Sequence, residues 1–298
     1  MKYFRPLFIA TALFAVQNTY AQQNTSSERA PLITDVYFPI GFYAGGVTPM
    51  TTTDWRNLMP NSELLKRDLS WDQGRDGMSR SSEGAAALEV AIGLDLGRNK
   101  GADARFDKQL RLGVSYLDFS FKNRVWSRSY TGPYDTLTSS LNNQVFLVDT
   151  TWNDVYRAEY AYSRIGLNAS YILRKRTPNK WSWYVGFGGM VGTTLNARAT
   201  VRHNTYTNAS STDLDYPDLN DQDGDTEQEE MRIASTPWGA AYALAGIDLR
   251  IGKTHPFWSS VHLFNELRPS MMFGTVPGSK LSATPAMQNL FGLRLDLR

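Results

Sequence analysis

The sequence predicts an all-β protein: a transmembrane, antiparallel, up-and-down β-barrel of about eight strands, or ten, behind a cleaved signal peptide. Three observations predict it. In Trp181–Arg202 the odd positions (Trp181, Trp183, Val185, Phe187, Val191, Leu195, Val201) are apolar, while the even ones are small, polar and finally cationic. A period of two over so long a run gives one face to lipid and the other to a lumen, and it far exceeds the roughly five or six residues of a soluble strand. Connections alternate long (51–83, 127–156, 203–232) with short (99–106, 175–180, 252–257), the asymmetry of external loops and periplasmic turns. The chain also opens with Lys2 and Arg5, an apolar run Leu7–Val16, and Thr19-Tyr20-Ala21. That is a secretory signal peptide over 1–21, leaving 22–298 as the barrel domain. A helical anchor would need roughly 20 apolar residues.

Composition agrees. A mean hydropathy of −0.39 with net charge +2 over 298 residues excludes a helical membrane protein. The absence of cysteine excludes lipidation at that residue, disulfides and thiolate metal sites.

The elements follow in order. Residues 22–31 are a polar lead-in, and Ile33–Pro49 is a first strand weakened by Pro39 and Gly45-Gly46. In the polar segment 51–83, residues 61–67 read either as a short helix capped by Asn61 or Ser62 or as a plain surface loop. Ala87–Gly97 alternates cleanly, with Leu88, Val90, Ile92, Leu94 and Leu96 on one face. Leu110 to Tyr116 continues until the phase slips near Leu117-Asp118, as a β-bulge would make it. Residues 126–156 are a loop, a projecting strand pair, or a spanning hairpin around Val145 that would raise the count to ten. Alternation returns before Leu173, through Trp181–Arg202, in Ile233–Ile251 and Trp258–Thr275, and at the end in Phe291, Leu293, Leu295 and Leu297. An even strand number with short inner turns puts both termini in the periplasm.

A leader, eight alternating strands and a last strand that ends the chain, LFGLRLDLR, resemble the small OmpA/OmpX-like outer-membrane barrels. The Gln22-Gln23 mature start and the aromatic, asparagine-rich loops look Bacteroidota-type. The resemblance is architectural, and Arg298 stands where proteobacterial barrels commonly end in phenylalanine. It implies placement in the outer membrane by the assembly machinery that reads the last strand.

The lumen parity collects Glu89, Asp95, Arg111, Arg164, Arg198, Asp248, Arg250, His262, Glu266, Arg268, Arg294 and Asp296. About eight strands leave an interior just wide enough to be filled by side chains, and both charge signs are present, so a solid ion-paired plug is the plainer reading. An arginine-biased passage for anions needs a wider barrel. The acidic stretch Asp213–Glu230 offers a weak calcium-type loop: with Gly224 at the sixth position, Asp221, Asp223, Asp225 and Glu230 supply oxygens, but Leu219 stands where the first ligand belongs. An ordinary solvated acidic loop competes with it. His203, read as lipid-facing at a strand's outer end, is where a lipid A-modifying site would sit, with no serine beside it in sequence.

These features predict a monomeric, non-enzymatic barrel with a plugged polar lumen, acting structurally, in adhesion or in ligand binding through its external loops. Its expected partners are the bilayer and lipopolysaccharide, with no nucleic acid, and no cofactor beyond a weakly bound calcium ion. A small porin, a lipid A-modifying enzyme and, at the level of fold, a soluble β-sandwich are the competing readings.

Overall fold

The computed structural model describes residues 33–46, 49–70, 82–96, 106–138, 145–175, 177, 180–210, 219–221, 224–252, 254–278 and 281–297. The signal peptide expected over 1–21 lies outside them. The strands are β1 (Ile33–Gly46), β2 (Ser82–Asp95), β3 (Phe106–Thr138), β4 (Val145–Lys175), β5 (Trp181–Ser210), β6 (Leu219–Asp221), β7 (Thr226–Arg232), β8 (Pro237–Arg250), β9 (Val261–Gly274) and β10 (Ser282–Asp296). Short helices are α1 (Thr52–Leu58), α2 (Glu63–Lys66) and α3 (Pro256–Ser260).

Eight of the strands close a ring, β1–β2–β3–β4–β5–β8–β9–β10, each antiparallel to the next, with β10 returning to β1. The all-β barrel expected from the alternation is therefore present, and with eight strands. The ten-stranded alternative fails: the Val145 segment is the upper part of β4, still paired with β3 (Thr138↔Val145), so residues 126–138 and 145–156 are a projecting strand pair. Among the described residues, β6 and β7 pair only with the upper part of β5. The soluble sandwich fails too, because Leu88, Trp181, Val185, Phe187 and Val191 point out into the surroundings instead of into a core.

The ring's outer face is apolar and its inner face polar, inverting the pattern of a soluble barrel. From Trp181 to Val191 every outward position of β5 is apolar or glycine. Ten residue steps at about 3.3 Å, tilted by about 40°, give roughly 25 Å of height, that of an outer-membrane apolar band. At the short-turn end Phe106 meets Trp183 edge-on (centroids 5.8 Å apart), and Lys175 Nζ lies 5.8 Å over the Trp183 ring. Inside, residues without side chains make room for large ones. A Cβ on Gly188 would lie 2.6 Å from the Tyr242 ring, and one on Gly246 2.3 Å from that of Tyr184.

The slip expected near Leu117-Asp118 is a register shift between Leu117 and Ser120, with one extra residue in β3. A second slip at the same height is not visible in the sequence alternation. Between Ala161↔Arg198 and Ser163↔Leu195 there is one extra residue in β5, and Asn196 there has φ 52°. Above these bulges the inward parity of both strands switches. The apolar odd set of Trp181–Arg202 is thus not one face: it faces out up to Val191, and Ala197, Ala199 and Val201 face in.

The segment 51–83, expected to be polar and external, holds a buried helical cap. Thr51 and Asp54 form a reciprocal capping box for α1, and Ser62 caps α2, accepting from the Leu65 backbone N–H at 3.1 Å. The helical alternative for 61–67 holds, and the plain surface loop does not. Trp55, Leu58, Met59, Leu64, Leu65 and Leu69 pack on the inward faces of β3, β4 and β5 around Trp126, Tyr160 and Val201. The cap is stitched down by Trp126 Nε1 donating to Thr52 Oγ1 (3.2 Å), Arg124 to the Met50 carbonyl (3.1 Å), and the Glu63 N–H to Glu229 Oε1 (3.1 Å).

Candidate functional site

Two places gather chemistry: the lumen and the upper ribbon made by β3, β4 and β5. In the lumen, alternation brings most of the expected residues together. Glu266 accepts from both Nη atoms of Arg111 (2.9 and 2.7 Å) and from Arg268 Nε (2.5 Å). Arg268 turns its other nitrogens to Glu89 (2.7 and 3.1 Å), which also accepts from Ser115. These four charged groups are fully or almost fully buried and cancel in sign, the condition under which buried charge is tolerated. Nearer the short turns, Arg294 donates to Asp248 (Nε–Oδ2 2.8 Å) and to Asp35, while His262 Nδ1 meets Asp248 Oδ1 at 2.5 Å.

The same cluster holds residues that alternation alone left out. Arg174 donates to Tyr37 Oη (2.8 Å) and stands 3.8 Å from Asp35; Tyr37 donates to Gln109 (2.6 Å), which in turn donates to Asp35. Arg174 shares the parity of Arg164 in β4, and Gln109 that of Arg111 in β3, which was the available signal. Arg174 was hidden in a basic turn, and Asp35 in a strand weakened by Pro39. Arg164 is buried as expected, but among aromatic rings: its guanidinium lies 4.9 Å over Tyr162, 5.7 Å over Trp238 and 5.8 Å over Tyr43. Asp95, Arg250 and Asp296 are half-buried at the inner rim, with Asp296 3.8 Å from Arg294.

Arg198 is a correction. It is not in the lumen but outside, its side chain 60% exposed and 3.7 Å from Glu230, because the Asn196 bulge reversed the face of β5. His203 is corrected for the same reason: it is buried and faces inward, stacked on Tyr156 (centroids 4.1 Å, 18°). Arg67 at the end of the cap donates into His203 Nδ1 (3.2 Å), so the ring proton sits on Nε2 and goes to Asp154 Oδ1 (2.7 Å). Both ring nitrogens are engaged, and neither is left to take a proton from a serine. Arg67 also approaches Tyr156 Oη (3.5 Å) and pairs with Glu227 (2.6 Å), and these hydrogen bonds raise its pKa above the ordinary arginine value. Of the calcium-type residues, Glu230 faces Arg198, Asp225 lies on the cleft described next, and Asp223 and the Asp221 side chain fall outside the described residues. Among the described residues no group of His, Asp and Glu is arranged to hold a metal ion.

Above the cap the inward face of the ribbon continues in cross-strand rows. Trp126, Tyr156 and His203 make one; Arg128, Asp154 and Thr205 the next; Tyr130, Trp152 and Thr207 the third. The last two rows line an open cleft of about 640 Å³, with Gly224 and Asp225 on its far wall. Tyr130 and Trp152 stack with centroids 5.7 Å apart and planes at 27°, and they are 67% and 41% exposed. Arg128 pairs with Asp154 (2.9 Å), so Asp154 joins the cleft to His203 and the cap. The sequence showed 126–156 to be rich in tyrosine and threonine. It could not show that residues some 20 and 50 positions apart share a row.

No family model matches the chain, and no curated protein matches it. Solved structures do. Neisserial surface protein A (NspA) is 12% identical, covering 91% of this chain and 100% of its own, with a TM-score of 0.34. Ail, the attachment invasion locus protein of Yersinia pestis, is 13% identical, covering 88% of this chain and 99% of its own, with a TM-score of 0.26.

Proposed function

We propose that this chain is a non-enzymatic outer-membrane β-barrel protein, its lumen closed by side chains, that acts at the cell surface through the ribbon and cap at its long-loop end. The observation that carries the reading is the inversion of the ring: a continuous apolar exterior about as tall as a bilayer core, around an interior of paired charges. Such an exterior on a soluble protein would aggregate. The three strands that project beyond the band, and the acidic residues 225–230 beside them, meet the medium and lipopolysaccharide. The occupied ring nitrogens of His203 favour binding over lipid A chemistry. The bidentate Arg111–Glu266 and Arg268–Glu89 pairs across the lumen favour a plug over a porin.

The test is refolding into lipid vesicles, read by heat-modifiable gel mobility, followed by single-channel recording in a planar bilayer. A folded species with no steady conductance is expected. Stable openings would overturn the plug and favour the channel, and a chain that stays folded and soluble without detergent would overturn the membrane reading altogether.

A further inference from the structure

The cleft at the top of the ribbon is built for a ligand with flat apolar faces and hydroxylated edges. Its floor is aromatic: Tyr130 and Trp152 are neighbours in register, tilted only 27° from coplanar, and exposed on a part of the chain that projects beyond the apolar band. There they are bathed by water, and leaving two large rings uncovered is unfavourable unless something covers them. Its rim is polar and held in place. Asp154 is fixed by Arg128 and His203, and the 224–225 backbone lies directly on β5, where Thr205 N–H donates to the Asp225 carbonyl at 3.2 Å. A Cβ on Gly224 would fall 1.2 Å from the Thr205 carbonyl oxygen, so only glycine brings that wall so close.

Charge narrows the ligand. Among the described residues lining the cleft the one guanidinium, Arg128, is already paired with Asp154, and Asp225 adds a second carboxylate, so one positive charge faces two negative ones. That balance repels phosphates, sulfates and carboxylates. A volume of about 640 Å³ lies inside the range of roughly 300–1,000 Å³ typical of small-ligand sites, where an apolar floor and a few placed polar groups set orientation. We infer that the cleft binds a neutral oligosaccharide, with pyranose C–H faces resting on the electron-rich faces of Tyr130 and Trp152 and ring hydroxyls bonded to Asp154 and Thr207. The inference rests on the ribbon lying outside the cell, as proposed above.

The test uses the full mature chain refolded in detergent micelles and titrated with maltotriose, cellotriose, chitotriose and lactose, followed by tryptophan fluorescence and saturation-transfer NMR. Saturable binding of at least one sugar is expected, about tenfold weaker in Trp152→Ala and in Tyr130→Ala. It is expected to survive in Trp152→Phe, which keeps a ring, and in Trp258→Ala at the opposite end of the barrel. Sucrose octasulfate, a polyanion of similar size, is expected not to compete. Absence of binding by all four sugars, binding untouched by either alanine variant, or a preference for the octasulfate would overturn the inference. Gel mobility is read on the same samples. A heat-modifiable barrel that binds no sugar sinks this inference alone, whereas a chain that never becomes heat-modifiable sinks the outer-membrane reading.

Discussion

Glu266 holds two arginines at once, Arg111 through both carboxylate oxygens and Arg268 through one. Removing it leaves two buried guanidinium groups sharing the single carboxylate of Glu89. Breaking a buried ion pair from one side costs roughly 3–5 kcal/mol, while replacing all partners by apolar groups of similar volume is often near neutral. Glu266→Ala is therefore expected to lower the urea midpoint of the detergent-folded barrel steeply. The quadruple variant Arg111→Met, Arg268→Met, Glu266→Leu, Glu89→Leu, which leaves none of the four charges, is expected to recover part of the loss, and its failure to do so would mean that packing, not charge, makes the plug stable. Asn196 illustrates a different economy of one residue. Its φ of 52° is left-handed, which asparagine tolerates and β-branched residues do not. Asn196→Gly is expected to leave the unfolding midpoint unchanged, and Asn196→Val to cost about 1–2 kcal/mol. A valine variant as stable as the parent would show the bulge to be movable.

At the scale of elements, the helical cap is a separate apolar cluster lying on a barrel whose own stability comes from its ladders and its plug. Trp55 is fully buried at the centre of that cluster. Phe or Trp to Ala in a core costs roughly 3–5 kcal/mol, so Trp55→Ala is expected to release 50–70 while the ring stays closed. Trypsin added to intact cells, or to refolded protein in vesicles, then cuts at Lys66 and Arg67 in the variant and not in the parent, with heat-modifiable mobility retained. Equal resistance in both would detach the cap's order from its apolar contacts. This element also marks how far the sequence is legible. The strands of the ring are readable because an apolar exterior demands an apolar residue at every second position, which fixes both the strand and the face of its charges. The cap escaped because Trp55, Leu58 and Met59 are dispersed among polar residues and the wall they pack on is formed by β3, β4 and β5, far along the chain. Arg198 was misplaced because alanine, threonine and valine above Val191 suit either face, and Asn196 was the only residue to signal the slip. The aromatic cleft was invisible for a related reason: a row across three strands is set by register, which periodicity within one strand does not contain.

At the scale of the whole molecule, the ring is closed by its two ends. β1 begins at Ile33, β10 ends at Asp296, and the two are hydrogen-bonded from Asp35↔Asp296 to Gly45↔Ala286. Arg294 of β10 reaches across this join to Asp35 of β1, and on its other side to Asp248 of β8. The polar cluster near the short turns therefore has no complete form in any shorter length of the chain. Before the last strand arrives, Asp35 and Arg174 lack their common neighbour, and an ion in hydrocarbon without a partner is far costlier than one in water. The open sheet would also expose two unpaired strand edges, which a bilayer interior does not admit. On the outer-membrane reading proposed above, entering the membrane and completing the circle are thus one event. The residue that joins the two edges electrically, Arg294, lies two places from the end of β10, so all eight strands of the ring are needed before the chain acquires a structure that lipid can accept.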